Sequence, residues 1–279
     1  MRVRVLIVAG SDSGGGAGVQ ADIKTVTSLG AYAATAITAI TIQNTQGVFD
    51  TLSVPPEFVA RQMEAVLDDI GTDAIKVGML HSAATVEAVA RVCQRCRVPI
   101  IVDPLMVAKR GEPLLEPGAL RVLADRLFPL AALVTPNAPE AELLTGLKVR
   151  TADDMESAAE RLLELGPAAV LIKGGHIESE DIVDLLQTVD GDQFRFTGKR
   201  IESRSTHGIG CTLASAIAVG AAEGLTLKDA VSKARDYVQQ ALLSAPGFGS
   251  GFGPLDHTHP VRSQGRRLVL PMRAKSSRR

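Results

Sequence analysis

Short β-branched apolar runs alternate with longer amphipathic stretches along most of the chain. Val3 to Ala9 reads as a buried strand, and Ala17 to Leu29 as the helix that follows it. Ala31 to Gln43 is an extended stretch rich in Thr and Ile. Phe58, Val59, Met63, Val66, Leu67 and Ile70 then fall at the spacing that lines one face of a helix. Further strands are predicted over 74–78, 99–102, 132–135 and 169–173, separated by helices near 82–96, 118–128, 138–145 and 152–165. The last of these helices opens at Thr151, with Asp154 three residues on, and stops at Gly166-Pro167, which is capping-box and breaker chemistry. Beyond Lys173 the pattern changes. Residues 182–189 and 193–201, joined through Asp190-Gly191-Asp192, predict a β-hairpin, and two long helices near 209–223 and 227–244 close the domain. Strand–helix alternation of this kind predicts one α/β domain with a mostly parallel central sheet between helical layers.

Composition agrees with a sheet covered on both faces. Apolar residues make up 46% and aromatics 3%, and Trp is absent, so Val, Ile, Leu and Ala must do the packing. The net charge of −1 is unevenly spread. Seven basic residues and no acid lie beyond Pro260 (Arg262, Arg266, Arg267, Arg273, Lys275, Arg278, Arg279), which leaves 23 basic against 31 acidic residues in the body. An acidic body argues against nucleic acid as a partner, and the basic end reads as a disordered tail over 261–279. No apolar run approaches the ~20 residues that span a bilayer. Three cysteines and an N-terminus that runs straight into a strand predict a reduced, cytoplasmic protein, and Cys93 and Cys96 read as incidental helix residues. The sequence leaves room for a homodimer.

In a parallel sheet, ligands collect beyond the carboxyl ends of the strands, and the polar and glycine-rich segments fall there. Gly10-Ser11-Asp12-Ser13-Gly14-Gly15-Gly16-Ala17-Gly18 has no following Gly-Lys-Ser/Thr, so it is not a P-loop, and Val19 breaks the dinucleotide fingerprint. It suits a substrate lying against backbone, with Asp22 one helical turn inside. Thr206-His207-Gly208-Ile209-Gly210-Cys211 precedes a buried helix, so its free N–H groups and the helix dipole converge on one point that would hold an anion. The same field favours the Cys211 thiolate. Asn137 and Glu140 place oxygen ligands suited to Mg²⁺ at a helix start, where an ordinary N-cap serves equally well. Lys173 ends a strand among glycines, where a cation could meet a phosphate. His207 shows no orienting partner in the sequence and reads as structural.

Taken together, these segments resemble the ribokinase-like superfamily, and within it the hydroxymethylpyrimidine/phosphomethylpyrimidine kinases of thiamine biosynthesis. The resemblance runs in unbroken order from about residue 3 to 259, through Ala9–Asp22, Thr41–Thr45, Lys76–Leu80, Asp103–Lys109, Thr135–Ala141, Lys173–His176 and Thr206–Thr212. It implies a single three-layer kinase domain over 1–260. It also implies ATP-dependent phosphorylation of 4-amino-5-hydroxymethyl-2-methylpyrimidine and then of its monophosphate, with Mg²⁺. Gly10, Asp22, Gln43, Met79 and Val107 would form the substrate pocket, with Asp22 and Gln43 reading the ring nitrogens and exocyclic amine. Gly208 and Gly210 would frame the anion hole, and Cys211 would take the general-base position. Lys173, Asn137, Thr206 and Gly208 would meet the nucleotide, and Asn137 and Glu140 would serve Mg²⁺, partly through water. Ile209 departs from the Thr that the family more often shows, at the loss only of a hydroxyl contact. A pyridoxine or pyridoxal kinase is the nearest alternative, and a non-catalytic ligand-binding protein on the same fold is another.

Overall fold

The computed structural model describes residues 2–107, 111–112 and 114–263. Nine strands form one sheet: β1 (Arg4–Asp12), β2 (Tyr32–Asn44), β3 (Gly47–Ser53), β4 (Ala74–Val77), β5 (Ile100–Val102), β6 (Leu133–Val134), β7 (Ala169–Ile172), β8 (Asp181–Thr188) and β9 (Gln193–Lys199). Their spatial order is β3-β2-β1-β4-β5-β6-β7-β8-β9. The pairs from β2 through β7 are parallel, while β2–β3, β7–β8 and β8–β9 are antiparallel. The strands that carry the mostly parallel core lie close to the predicted runs, and the hairpin after Lys173 is β8–β9.

Helices cover both faces. Leu6 and Val8 of β1 pack into the cluster built with α2 (Pro56–Asp69), α3 (Ala83–Cys93) and α4 (Ala119–Arg126). Their neighbours Val5, Ile7 and Ala9 point the other way, as alternate residues of a strand must. They pack against α1 (Gly18–Ser28), α7 (Ile209–Ala222) and α8 (Leu227–Leu243). The helices α5 (Ala138–Thr145) and α6 (Ala152–Leu163) extend the first layer over β7 and β8. Thr151 and Asp154 form the predicted capping box of α6. Cys93 is buried at the end of α3, and its thiol is pushed up to about 12 by burial.

Two features lie outside the pattern reading. β3 was not anticipated, because Phe49 and Leu52 are exposed and the edge strand buries no alternating face. A short helix, α9 (His259–Ser263), crosses the expected boundary at residue 260. The remainder of the basic tail, 264–279, lies outside the described residues. No described helix is long and apolar enough to cross a membrane.

The chain leaves β1 toward β2 on one side and returns to β4 on the other. The crevice at the carboxyl ends of these strands is therefore a topological switch point, where open α/β sheets place their ligands.

Candidate active site

α7 dominates the crevice. Its N-cap, Gly208, sits at φ +83° with no side-chain cap, so the N–H groups of Ile209, Gly210 and Cys211 have no partner within the helix. A Cβ on Gly208 would lie 1.9 Å from the Gly16 carbonyl oxygen, so only glycine lets the β1–α1 loop press against the helix start. Gly18 is equally constrained: φ is +56°, and a Cβ there would stand 2.3 Å from the Gly10 oxygen. Thr206 is half-buried just before this turn, and His207 bridges to the chain near Pro254.

Around this point the structure gathers a chain of buried charge. Lys173 follows β7, and its ammonium donates to Asp103 Oδ1 at 2.8 Å and lies 4.0 Å from Glu140. A side chain at Gly210 would meet both Lys173 Nζ and Asp103 Oδ2 at 3.3 Å, which places that pair against the first turn of α7. Burial alone would raise the Asp103 carboxyl, but the Lys173 and Lys76 ammoniums and a hydrogen bond from Thr135 hold it below the ordinary range. In the sequence Asp103 stands out only as the first residue of the segment Asp103–Lys109.

Asn137 and Glu140 form a reciprocal capping box on α5. Asn137 Oδ1 accepts the Glu140 N–H, and Glu140 Oε2 accepts the Asn137 N–H. The cap leaves the amide NH₂ of Asn137 and one lone pair of its oxygen available to a ligand. Burial pushes the Glu140 carboxyl up to about 7, against the pull of Lys173 and with help from the charge of Asp103.

Two expectations are corrected. Asp22 is not open to a ligand in this structure: it is fully buried, with Oδ2 accepting from Lys76 at 2.8 Å and Oδ1 from Ser215 at 2.7 Å. Both carboxylate oxygens are occupied before any ligand arrives. Lys76, assigned no role from the sequence, is itself fully buried. Burial favours the neutral amine, but the charges of Asp22 and Asp103 and the hydrogen bond to Asp22 outweigh it and hold the ammonium charged. The one sequence signal was a lysine inside a strand whose other residues are apolar. The second correction concerns Cys211. Its thiol sits in the first turn of α7, but burial pushes it up to about 12 despite the nearby Lys76 charge and a hydrogen bond from the Gly18 N–H. The helix field is outweighed by loss of solvent, so in the ligand-free protein Cys211 is a thiol.

On the other side of the hole lies an apolar wall. The β1–β2 register shifts between Ala9 and Ser11, and a Cβ at Gly10 would lie 3.1 Å from the Met79 sulfur. Met79 is buried with Ala39 and Leu114, and its carbonyl accepts from Thr38 Oγ1. Val107 is 40% exposed, and Gln43 is half-buried near the end of β2. His207 has the orienting partner that the sequence did not reveal: its Nε2 lies 2.8 Å from Asp12 Oδ2.

At the strand ends of this α/β sandwich a helix N-terminus, a buried lysine and an apolar wall meet, which suits a small molecule held beside an anion. Residues 12–256 match the family model described as phosphomethylpyrimidine kinase. The chain belongs to that family, and with it to the phosphotransferases. It is 52% identical to the thiamine biosynthesis bifunctional protein ThiED of Geobacter sulfurreducens over 92% of its length, and it spans about half (52%) of that relative. It is 46% identical to the hydroxymethylpyrimidine/phosphomethylpyrimidine kinase of Streptomyces coelicolor, covering 91% of this chain and 93% of the relative. Among solved structures, the phosphomethylpyrimidine kinase of Clostridium difficile matches with a TM-score of 0.76 and 40% identity over 86% of this chain and 99% of that one. The pyridoxal kinase of Staphylococcus aureus in complex with ADP matches with a TM-score of 0.85 and 34% identity over 92% and 94%.

Proposed function

We propose that this chain transfers the γ-phosphoryl group of ATP to the hydroxyl of 4-amino-5-hydroxymethyl-2-methylpyrimidine, and then to the resulting monophosphate. The observation that carries the reading is the uncapped start of α7 beside Lys173, facing the Gly10–Met79 wall. A flat heteroaromatic ring suits that wall, and its hydroxymethyl arm then points at the anion hole. Phosphoryl transfer needs mostly positioning and charge stabilisation. The N–H groups of residues 209–211 take the charge on the transferring group, Lys173 and the Asn137 amide hold the nucleotide phosphates, and Gln43 reads the amino edge of the ring. Cys211 accepts the substrate hydroxyl proton in the first step.

Mg²⁺ fits this site as an ion carried mainly by phosphates and water. Among the described residues no three His, Cys, Asp or Glu side chains gather into a cage. Glu140 keeps one oxygen outside its cap and would hold such an ion through water; the ion would supply charge neutralisation on the phosphates. We further place the enzyme in the cytoplasm, in keeping with its three unpaired thiols. A homodimer would cover the exposed Ile40, Ile42, Phe49 and Leu52 of β2 and β3.

Competition kinetics between hydroxymethylpyrimidine and pyridoxine test the substrate. A buried polar edge left unpaired costs about 1–3 kcal/mol, so kcat/KM should favour the pyrimidine by about 5- to 150-fold. Equal or reversed preference would overturn the assignment in favour of a pyridoxine kinase.

A further inference from the structure

Asp12, His207, Gln43 and Thr41 form a chain of contacts whose protons can be assigned by counting donors. Asp12 Oδ1 accepts the Gly14 N–H at 2.8 Å, and Oδ2 accepts those of Gly16 at 3.0 Å and Ala17 at 2.8 Å. Burial would raise this carboxyl, but the hydrogen bond and charge of His207 and the backbone N–H groups together hold it below the ordinary range. Asp12 is therefore a carboxylate and can only accept. It follows that His207 Nε2, 2.8 Å from Asp12 Oδ2, carries the proton of that contact.

The same His207 nitrogen lies 3.3 Å from the terminal atom placed as Gln43 Nε2. Two donors would then face each other. At the other end of the amide, Thr41 Oγ1 lies 3.1 Å from the atom placed as Gln43 Oε1, while its single proton has a shorter partner in the Ser11 carbonyl at 2.9 Å. Thr41 is then an acceptor toward Gln43. Amide oxygen and nitrogen are nearly equal in shape, and the network assigns them. Turning the amide removes both mismatches: its NH₂ donates to Thr41, and its oxygen shares the His207 Nε2 proton as the longer branch of a bifurcated bond whose shorter branch goes to Asp12.

We propose that His207, held by Asp12, is a positioning residue that locks the Gln43 amide in one orientation and so sets substrate selectivity. The inference rests on the reading that Gln43 meets the edge of a pyrimidine. An aminopyrimidine presents a donor (the exocyclic amine) beside an acceptor (the ring nitrogen). The 4-oxo analogue presents the reverse order, a carbonyl beside a ring N–H. A freely turning glutamine matches either by rotating its amide through 180°, whereas a locked one matches a single order. Selection between amino and oxo rings then comes from His207, which need not touch the substrate.

The test is the ratio of kcat/KM for hydroxymethylpyrimidine and its 4-oxo analogue, measured in wild type, His207→Phe, Asp12→Asn, Gln43→Ala and the His207→Phe/Gln43→Ala pair. Wild type should discriminate by about 10- to 100-fold. His207→Phe should bring the ratio to within a few-fold of one, largely through gain on the oxo analogue, and it should change nothing further in the Gln43→Ala background. A ratio unchanged in His207→Phe, with both substrates slowed alike, overturns the lock and leaves His207 a packing residue. Wild type that phosphorylates neither pyrimidine overturns the functional reading instead. ¹⁵N NMR of the wild-type imidazole gives an answer independent of variant folding: a protonated Nε2 is expected, and an unprotonated one overturns the assignment.

Discussion

The buried Cys211 thiol makes the first phosphorylation the more revealing of the two steps. With its acidity pushed up to about 12 by burial, only about 10⁻⁵ of the protein holds a thiolate at pH 7, and about 10⁻³ at pH 9. If the thiolate takes the substrate hydroxyl proton, the single-turnover rate of the first step rises about tenfold per pH unit across that range. The second step starts from a phosphate monoester, whose second ionisation lies at about 6, so its nucleophile is already an anion and its rate stays level. Cys211→Ala should lower the first step by about 10²–10⁴-fold and abolish its slope, while harming the second much less. Cys211→Asp should recover part of the first-step rate with a flatter profile, since a carboxyl starts about 4–5 pH units more acidic than a thiol and so ionises at lower pH in the same buried place. Rapid-quench measurement of both phosphorylations at pH 7, 8 and 9 reads all of this. A fall of equal size in both steps, or a slope that persists in Cys211→Ala, would refute the base assignment and leave Cys211 a side chain that shapes the hole.

The buried pair beneath the site and the carboxyl beside Lys173 give two further tests. Lys76→Met removes one partner of a fully buried ion pair and leaves Asp22 uncompensated, at a cost of about 3–5 kcal/mol. The Lys76→Met/Asp22→Asn double variant should recover most of this, as read from urea midpoints, and a single variant within about 1 kcal/mol of wild type would contradict the pairing. Glu140 binds its proton more tightly in the folded chain, with a value of about 7, than in the unfolded one at about 4.3. Between those values the native state holds more protons, so its contribution to stability falls as pH rises. Glu140→Gln keeps an oxygen for the capping box and removes the titration. It should therefore lose less stability than wild type between pH 5 and pH 8, and an unchanged difference in midpoint would show that Glu140 does not titrate there.

The order of strands and helices was legible in the sequence because burial on two faces writes it there. β1 is apolar from Val5 to Ala9 because helices cover both of its sides, and α6 shows Thr151 and Asp154 at the spacing that its cap requires. The start of α7 was legible for the same local reason: Gly208 just before the helix and Gly210 in its first turn lead into the buried run from Cys211 to Gly220, and the free N–H groups belong to that first turn. What tertiary structure alone decided is where each charge ends up relative to water and to partners far along the chain. Asp22, one turn into α1, and Gln43, near the end of β2, look alike as polar residues flanking the crevice, yet Asp22 meets Lys76 and Ser215 from distant segments and is fully buried. His207 looked partnerless because Asp12 lies 195 residues away in sequence. Cys211 sits in the predicted helix field, but desolvation acts through every element packed around the sulfur, and it outweighs the field. Local pattern sets backbone and periodicity; ionisation and pairing depend on neighbours that only the folded chain brings together.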